Sequence, residues 1–315
     1  MASASSATPA HHQRLYEQIV DAMNAVFGAY PGYRAAHAKG VVCEGTFTPS
    51  ESAATLSRAA HFRSGTIPMT VRFSDGTGIP AIPDPDPNAD PRGLALRFHL
   101  PGGVETDIVS HSFNGFPVGT AEEFLGMFQA IAATRPDSPK PTPIEAFLGG
   151  HPRALAFVTT PKPAPKSFAT ESFYAVNAFR FTNREGTSRY ARYQIHPQEG
   201  EAHLTAEETA GKPANYLFDE LASRLERGPA KFNLVAQLAA ANDPIQDASV
   251  VWPADRPQVA LGVITVTKRR ADSDALQRKL IFDPIHLVDG IELSADPLPQ
   301  ARSAIYSISY ERRNR

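Results

Sequence analysis

In Met69-Thr-Val71-Arg72-Phe73-Ser74 apolar and polar residues alternate without a break, and the same period of two returns at Leu94, Leu96, Phe98 and Leu100. A period of two belongs to a strand with one buried face. Pro101-Gly-Gly103 supplies a tight turn into Val104–Val109, a hairpin partner. Further short strands are expected at 178–182, 189–195, 231–238 and 259–266. Helical spacing is confined to separate blocks: residues 11–27, ended by Gly28 and Pro31; 50–61, with Ala53, Leu56 and Ala60 on one face; a segment from Ala121 carrying Phe124, Leu125, Phe128 and Ile131; and 216–227, closed by Gly228. Strands that follow one another between turns, with helices grouped and not interleaved, make an α+β fold around an antiparallel sheet or barrel.

The chain has 315 residues, enough for a large core. A net charge of −2 gives no electrostatic reason to expect nucleic acid or a membrane surface as partner. The single cysteine, Cys43, excludes an internal disulfide framework, fits a reducing compartment, and in Val41-Val42-Cys43 reads as a small buried residue. MASASSATPA at the start lacks the pattern of a secretory signal, and no run reaches the ~20 apolar residues of a membrane span. A cytoplasmic location is the simplest expectation. The proline clusters at 80–91, 136–143 and 161–165 read as ordered loops, because periodic segments resume on either side. Glycine-rich phosphate-binding motifs and zinc-ligand spacings are absent from the sequence.

Three placements carry chemistry. Arg72 and Ser74 share the polar face of one strand and can line a polar site. His37 precedes Gly40 and a strand, a setting in which a histidine is more often structural, held by a backbone carbonyl, than catalytic. Arg302 and Tyr306, four apart on a C-terminal helix, put a fixed cation beside a phenol. A phenol loses its proton near pH 10 when free, so a phenolate at neutral pH needs a cation or a metal next to it. A packed tyrosine under a solvated arginine would show the same spacing.

The stretches RAAHAKG (34–40), TVRFSDG (70–76), DPRGLALRF (90–98), ETDIV (105–109), VVWP (250–253) and FDPIHLVDGIELSADPLPQARSAIY (282–306) together resemble, in order and spacing, the catalase family, and within it the small branch of catalase-related peroxidases. The resemblance implies an antiparallel β-barrel core of the catalase type with surrounding helices. Composition and helical spacing set off a tail and helical arm over residues 1–30; the resemblance implies a single haem-binding domain over 31–315 and haem b bound in the barrel by a tyrosinate, an axial ligand for which catalase is the standard example. Tyr306 takes the ligand position and Arg302 the donor to its oxygen. His37 takes the distal position and Ser74 that of the residue fixing its ring. Arg34, Arg72 and Arg313 correspond to the partners of the haem propionates, a role that suits the forked guanidinium. Phe124 matches the aromatic packed on the haem face, although ordinary helix core would bury it as well.

Two departures from the large catalases bear on activity. An ungapped match places Ser110, His111 and Ser112 where those enzymes carry Gly-Asn-Asn, and the nearest amide is Asn114. Either the loop bends so that Asn114 serves as the distal amide, or the site lacks one. Ala36 stands before the distal histidine where Val is common, and the sequence ends nine residues after Tyr306, where large catalases continue. A wider pocket is therefore expected. The resemblance then implies a peroxidase that reduces hydrogen peroxide and organic hydroperoxides with small organic electron donors, with weak or no catalase activity. A haem enzyme rearranging fatty-acid hydroperoxides and a non-catalytic haem-binding or sensing protein are the alternatives, and a homodimer is left open.

Overall fold

A computed structural model of the chain describes residues 9–63 and 65–315; residues 1–8 of the expected N-terminal tail lie outside the described residues. The strands are β1 (Gly40–Pro49), β2 (Ile67–Ser74), β3 (Gly93–His99), β4 (Glu105–His111), β5 (Phe173–Thr182), β6 (Ser188–Pro197), β7 (Ala230–Leu238), β8 (Gln258–Arg269) and β9 (Ile291–Leu293). Antiparallel pairing runs in the order β4-β3-β2-β1-β8-β7-β6-β5, and the pair His111↔Tyr174 joins β4 to β5, closing an eight-stranded barrel. β9 adds to β5. Closure removes the unpaired edges that an open sheet would leave to other chains.

The helices are α1 (Pro9–Phe27), α2 (Ala53–Leu56), α3 (Ala121–Ala133), α4 (Pro143–Gly150), α5 (Pro152–Thr159), α6 (Ala206–Ala210), α7 (Tyr216–Arg227), α8 (Ser273–Lys279) and α9 (Leu298–Arg313). Helix α7 covers the residues that spacing assigned to it. The helix expected over 50–61 shrinks to α2 and a separate 3-10 turn at Ala60–Phe62. Its start is diverted because the Ser50 and Ser52 hydroxyls both donate to the Ala260 carbonyl, at 2.5 and 2.7 Å, which ties that segment to β8. Among the described residues no helix is long and apolar enough to cross a membrane.

Alternation decides which side of the barrel can hold a site. Val71, Phe73, Leu94, Leu96, Phe98 and Ile108 point inward into one apolar cluster with Cys43, Phe47, Phe173, Phe181 and Phe232. Phe47, Phe73, Phe98, Phe173, Phe181 and Phe232 are each less than 2% exposed. At roughly 1.5–3 kcal/mol per buried side chain they form a filled core, not a ligand cavity. The expectation of a cofactor inside the barrel is thereby corrected: the candidate residues lie on the outward face of β2–β4. A second apolar cluster is built from α1, α3 and α9, with Ala36, Phe124 and Tyr306 among the partly buried residues packed against it.

Candidate active site

His37 lies in the loop between α1 and β1 with φ 54°, the single non-glycine residue in the left-handed region among those described. Such a backbone costs on the order of 1–3 kcal/mol and persists only where its surroundings fix it. Here the His37 N–H donates to the Gly76 carbonyl at 3.1 Å, and the His37 carbonyl accepts from Arg72 Nη2 at 2.7 Å. The preceding loop is pinned to α9, since the Ala35 N–H donates to Ser309 Oγ at 3.2 Å. Behind it Arg92 is bonded to Asp75 and to the Asp84 carbonyl, a buried polar floor under the loop.

The His37 ring is held at one edge. Its Nδ1 pairs with Ser74 Oγ at 3.1 Å, which leaves Nε2 as the free ring nitrogen. Gly93, paired with Ser74 across β2 and β3, lies directly beneath. A Cβ there would overlap Ser74 Oγ and sit 2.7 Å from His37 Nδ1, so the ring rests on a position that only glycine leaves open. Burial, and after it the charges of Arg72 and Arg302, push the imidazole down to about 3. The ring is therefore neutral at physiological pH, with Nε2 able to accept a proton when Nδ1–H faces Ser74.

Arg34, Arg72 and Arg313 come from a loop, a strand and a helix, yet each lowers or is lowered by another's charge. Their bonded acceptors are neutral. Arg34 Nη2 and Arg313 Nη2 both donate to the Leu280 carbonyl, each at 2.7 Å, and Arg72 donates to Gln277 Oε1 at 2.9 Å and to His37 O. Burial, followed by the mutual repulsion, pushes Arg34 well below the usual guanidinium range and Arg72 to about 9; burial pushes Arg313 to about 10. Arginine does not deprotonate to escape such a setting. Arg72 and Arg313 are buried and Arg34 half-buried; the charge of Asp75 offsets that of Arg72 in part, but among the described residues none of the three forms an ion pair, and such a cluster matches a ligand that brings its own carboxylates.

On α9, Arg302 Nε donates to Tyr306 Oη at 3.0 Å. The guanidinium is itself positioned: Nη1 donates to Asn177 Oδ1 at 2.7 Å, and Asn177 Nδ2 donates to Asp296 Oδ2 at 2.7 Å. Asn177 lies where the β5–β6 register shifts, and such an irregularity re-aims a side chain out of the ladder. Asp296 also accepts the Leu298 N–H at the start of α9. Spacing did not reveal Asn177 or Gln277, whose partners are distant in the chain; Asp296 stood within a matched motif without a role.

Phe124 on α3 stacks on Phe116, centroids 5.8 Å apart with an interplanar angle of 13°. Asn114 is half-buried in the bend after β4 and makes no hydrogen bond with His37 or Ser74. β4 runs two residues past the strand expected over Val104–Val109, because Ser110 and His111 still pair with Leu94 and Gly93. Cys43 is fully buried in the barrel, as expected. Among the described residues no cluster of three or more His, Cys, Asp or Glu could hold a metal ion.

The chain is similar over nearly its whole length to a catalase-related peroxidase of Mycolicibacterium paratuberculosis, 35% identical over 300 residues that cover 94% of each chain. A catalase-related peroxidase of Synechococcus elongatus is 35% identical over 306 residues, covering 95% of this chain and 88% of that one. A catalase of Pseudomonas syringae pv. syringae is 27% identical over 293 residues, but the match covers 87% of this chain and 56% of that catalase. Among solved structures, catalase A from Saccharomyces cerevisiae superposes with a TM-score of 0.79 at 22% identity, covering 90% of this chain and 62% of that one, which establishes a shared fold. Residues 31–314, which hold the closed barrel, the His37–Ser74 pair and the Arg302–Tyr306 pair, match the family model described as Catalase, and the chain belongs to the catalase family.

Proposed function

We propose that this chain is a haem-dependent peroxidase that reduces hydrogen peroxide and organic hydroperoxides with electrons from small organic donors, and that it releases little oxygen from hydrogen peroxide. The observation that carries the reading is the cluster of Arg34, Arg72 and Arg313, whose bonded acceptors are neutral, in a site that also holds the Arg302–Tyr306 pair. Haem b presents two propionates on one edge and an iron at its centre, and the residues fit both. The three arginines would hold the propionates, Phe124 would pack on the ring, and Tyr306 would bind the iron through its phenolate oxygen. The likeness to proteins named catalase-related peroxidase, over most of both chains, supports this assignment over that of a large catalase.

Haem, if held by these residues, would supply redox-active iron as the source of electrons for reducing the peroxide O–O bond. The chain's own residues do the rest. Arg302 donates to the Tyr306 oxygen that would bind the iron, and Asn177 and Asp296 hold that guanidinium in place. Ser74 accepts from His37 Nδ1, which leaves Nε2 to take the proton from one peroxide oxygen and return it to the other, so that water or an alcohol leaves. Burial keeps His37 in the base form that this transfer requires. The donor supplies two electrons and two protons per hydroperoxide, and ROOH becomes ROH and water.

Mixing the haem-loaded protein with hydrogen peroxide, with and without a phenolic dye, tests the reading. Dye oxidation should account for the peroxide consumed, with oxygen release a minor fate. Rapid oxygen release that consumes most of the peroxide even when dye is present would overturn it.

A further inference from the structure

His111 ends β4 and is 9% exposed. Its Nδ1 accepts the Phe113 backbone N–H at 3.3 Å. A ring nitrogen that accepts carries no hydrogen, so the neutral ring holds its proton on Nε2. That Nε2 is buried and, among the described residues, has no hydrogen-bond partner. A buried N–H without a partner is costly, and where a fold keeps one it needs an explanation. Burial first, and then the charges of Arg302 and His37, hold the ring neutral, at about 3.

The strand register says where this donor points. Ser74 pairs with Gly93, and Gly93 pairs with His111, in one row across β2, β3 and β4. Paired residues project to the same face of a sheet. The His37 ring lies on Gly93, the member of the row without a side chain. It is therefore flanked by Ser74 on one side and His111 on the other. With strands about 4.8 Å apart, the Cα atoms of Ser74 and His111 are about 10 Å apart, so His111 faces the His37 ring from the side opposite Ser74. The aromatic neighbour of His111 is Phe116, centroids 6.2 Å apart, which offers no acceptor oxygen. His111 is also rigid, because its pairing with Tyr174 is the bond that closes the barrel.

We infer that His111 is a second polar residue of the distal pocket, and that its Nε2–H donates a hydrogen bond to the peroxide on which His37 acts. The inference rests on the peroxidase reading above. His37 accepts a proton and His111 donates a hydrogen bond, so the peroxide meets one acceptor and one donor on the same sheet face. Every hydroperoxide oxygen has a lone pair, so the donor serves hydrogen peroxide and organic hydroperoxides alike. Of the two arrangements left open by the sequence, a distal amide from Asn114 is not needed: that residue sits in the bend, three positions past the end of the strand.

Fluoride binds ferric haem and accepts hydrogen bonds without donating them, which makes it the probe. In the haem-loaded protein, His111→Leu should weaken fluoride about tenfold to a hundredfold, the loss of one hydrogen bond to an anion, and should slow peroxide consumption at least about tenfold. His111→Asn, which keeps an N–H donor, should restore most of both, with haem content and thermal midpoint matching the wild type. Nitrogen NMR of the wild-type chain loaded with diamagnetic zinc protoporphyrin should show the Nε2–H tautomer of His111. An Nδ1–H tautomer would overturn the inference whether or not the variants fold. Wild-type fluoride affinity and rate in His111→Leu, or the same losses appearing in Asn114→Ala instead, would also overturn it. A wild-type protein that takes up no haem or reduces no peroxide would instead sink the peroxidase reading itself.

Discussion

Gly93→Ala isolates the placement of His37 without touching the histidine. The backbone at Gly93 lies outside the left-handed region, so alanine meets no conformational penalty there. The added Cβ, however, would lie 2.7 Å from His37 Nδ1, and ordinary contact begins near 3.4 Å, so the ring must retreat by about 0.7 Å or the strand must shift. Overpacking of this kind costs about 1–3 kcal/mol of stability, a fall of a few degrees in melting temperature. The effect on chemistry is larger, since a misplacement near 1 Å costs on the order of a hundredfold in rate. Stopped-flow mixing of the haem-loaded variant with hydrogen peroxide should give a second-order rate constant down about a hundredfold, with haem stoichiometry unchanged. Removing the Ser74 overlap with Ser74→Ala in the same chain should not restore the rate, because the clash with the ring remains. A rate within about twofold of wild type for Gly93→Ala would refute the claim that His37, held over Gly93, moves the proton.

Arg34→Met removes one of three mutually repelling cations, while Arg313 still donates to the Leu280 carbonyl that both share. The haem-free chain should therefore melt higher and bind haem at least about tenfold more weakly, the value of one charge-assisted pair; a lower melting point together with unchanged haem affinity would count against an anion-binding role. The pH profile carries a sign as well. Because burial lowers His37 to about 3, its base form persists as pH falls through the ordinary histidine range. Single-turnover peroxide consumption should stay flat between about pH 8 and about pH 4.5 and decline only as pH approaches the folded value; a midpoint near 6.5 would mean that the ring is not buried as described.

The barrel strands were legible because each has one buried face, and a one-residue slip would turn every core residue outward, as in β2, where Arg72 and Ser74 oppose Val71 and Phe73. Helix α7 was legible for a similar reason, with Leu217, Leu221 and Leu225 on one buried stripe and Gly228 after its end. Interactions between distant segments were not. Whether Ser50 and Ser52 continue a helix depends on a carbonyl at Ala260, and whether β4 extends to His111 depends on Tyr174. The Arg302–Tyr306 pair could be read from helical spacing, but Asn177, which orients the arginine, lies 125 residues away. The convergence of Arg34, Arg72 and Arg313 on one buried edge has no local signature; it entered through the family resemblance. Asn114 was singled out for its amide and not for its position, whereas the unpaired buried nitrogen that the fold places in the same row as Ser74 belongs to His111.

The absorption spectrum of the haem-loaded protein, compared with that of Tyr306→Phe, tests the central claim most directly. A ferric haem spectrum with a tyrosinate charge-transfer band in the wild type, lost in the variant while the Arg34, Arg72 and Arg313 cluster still retains some haem, is the expected result. An unchanged spectrum in Tyr306→Phe, or a wild-type protein that shows no ferric tyrosinate haem at all, would contradict it.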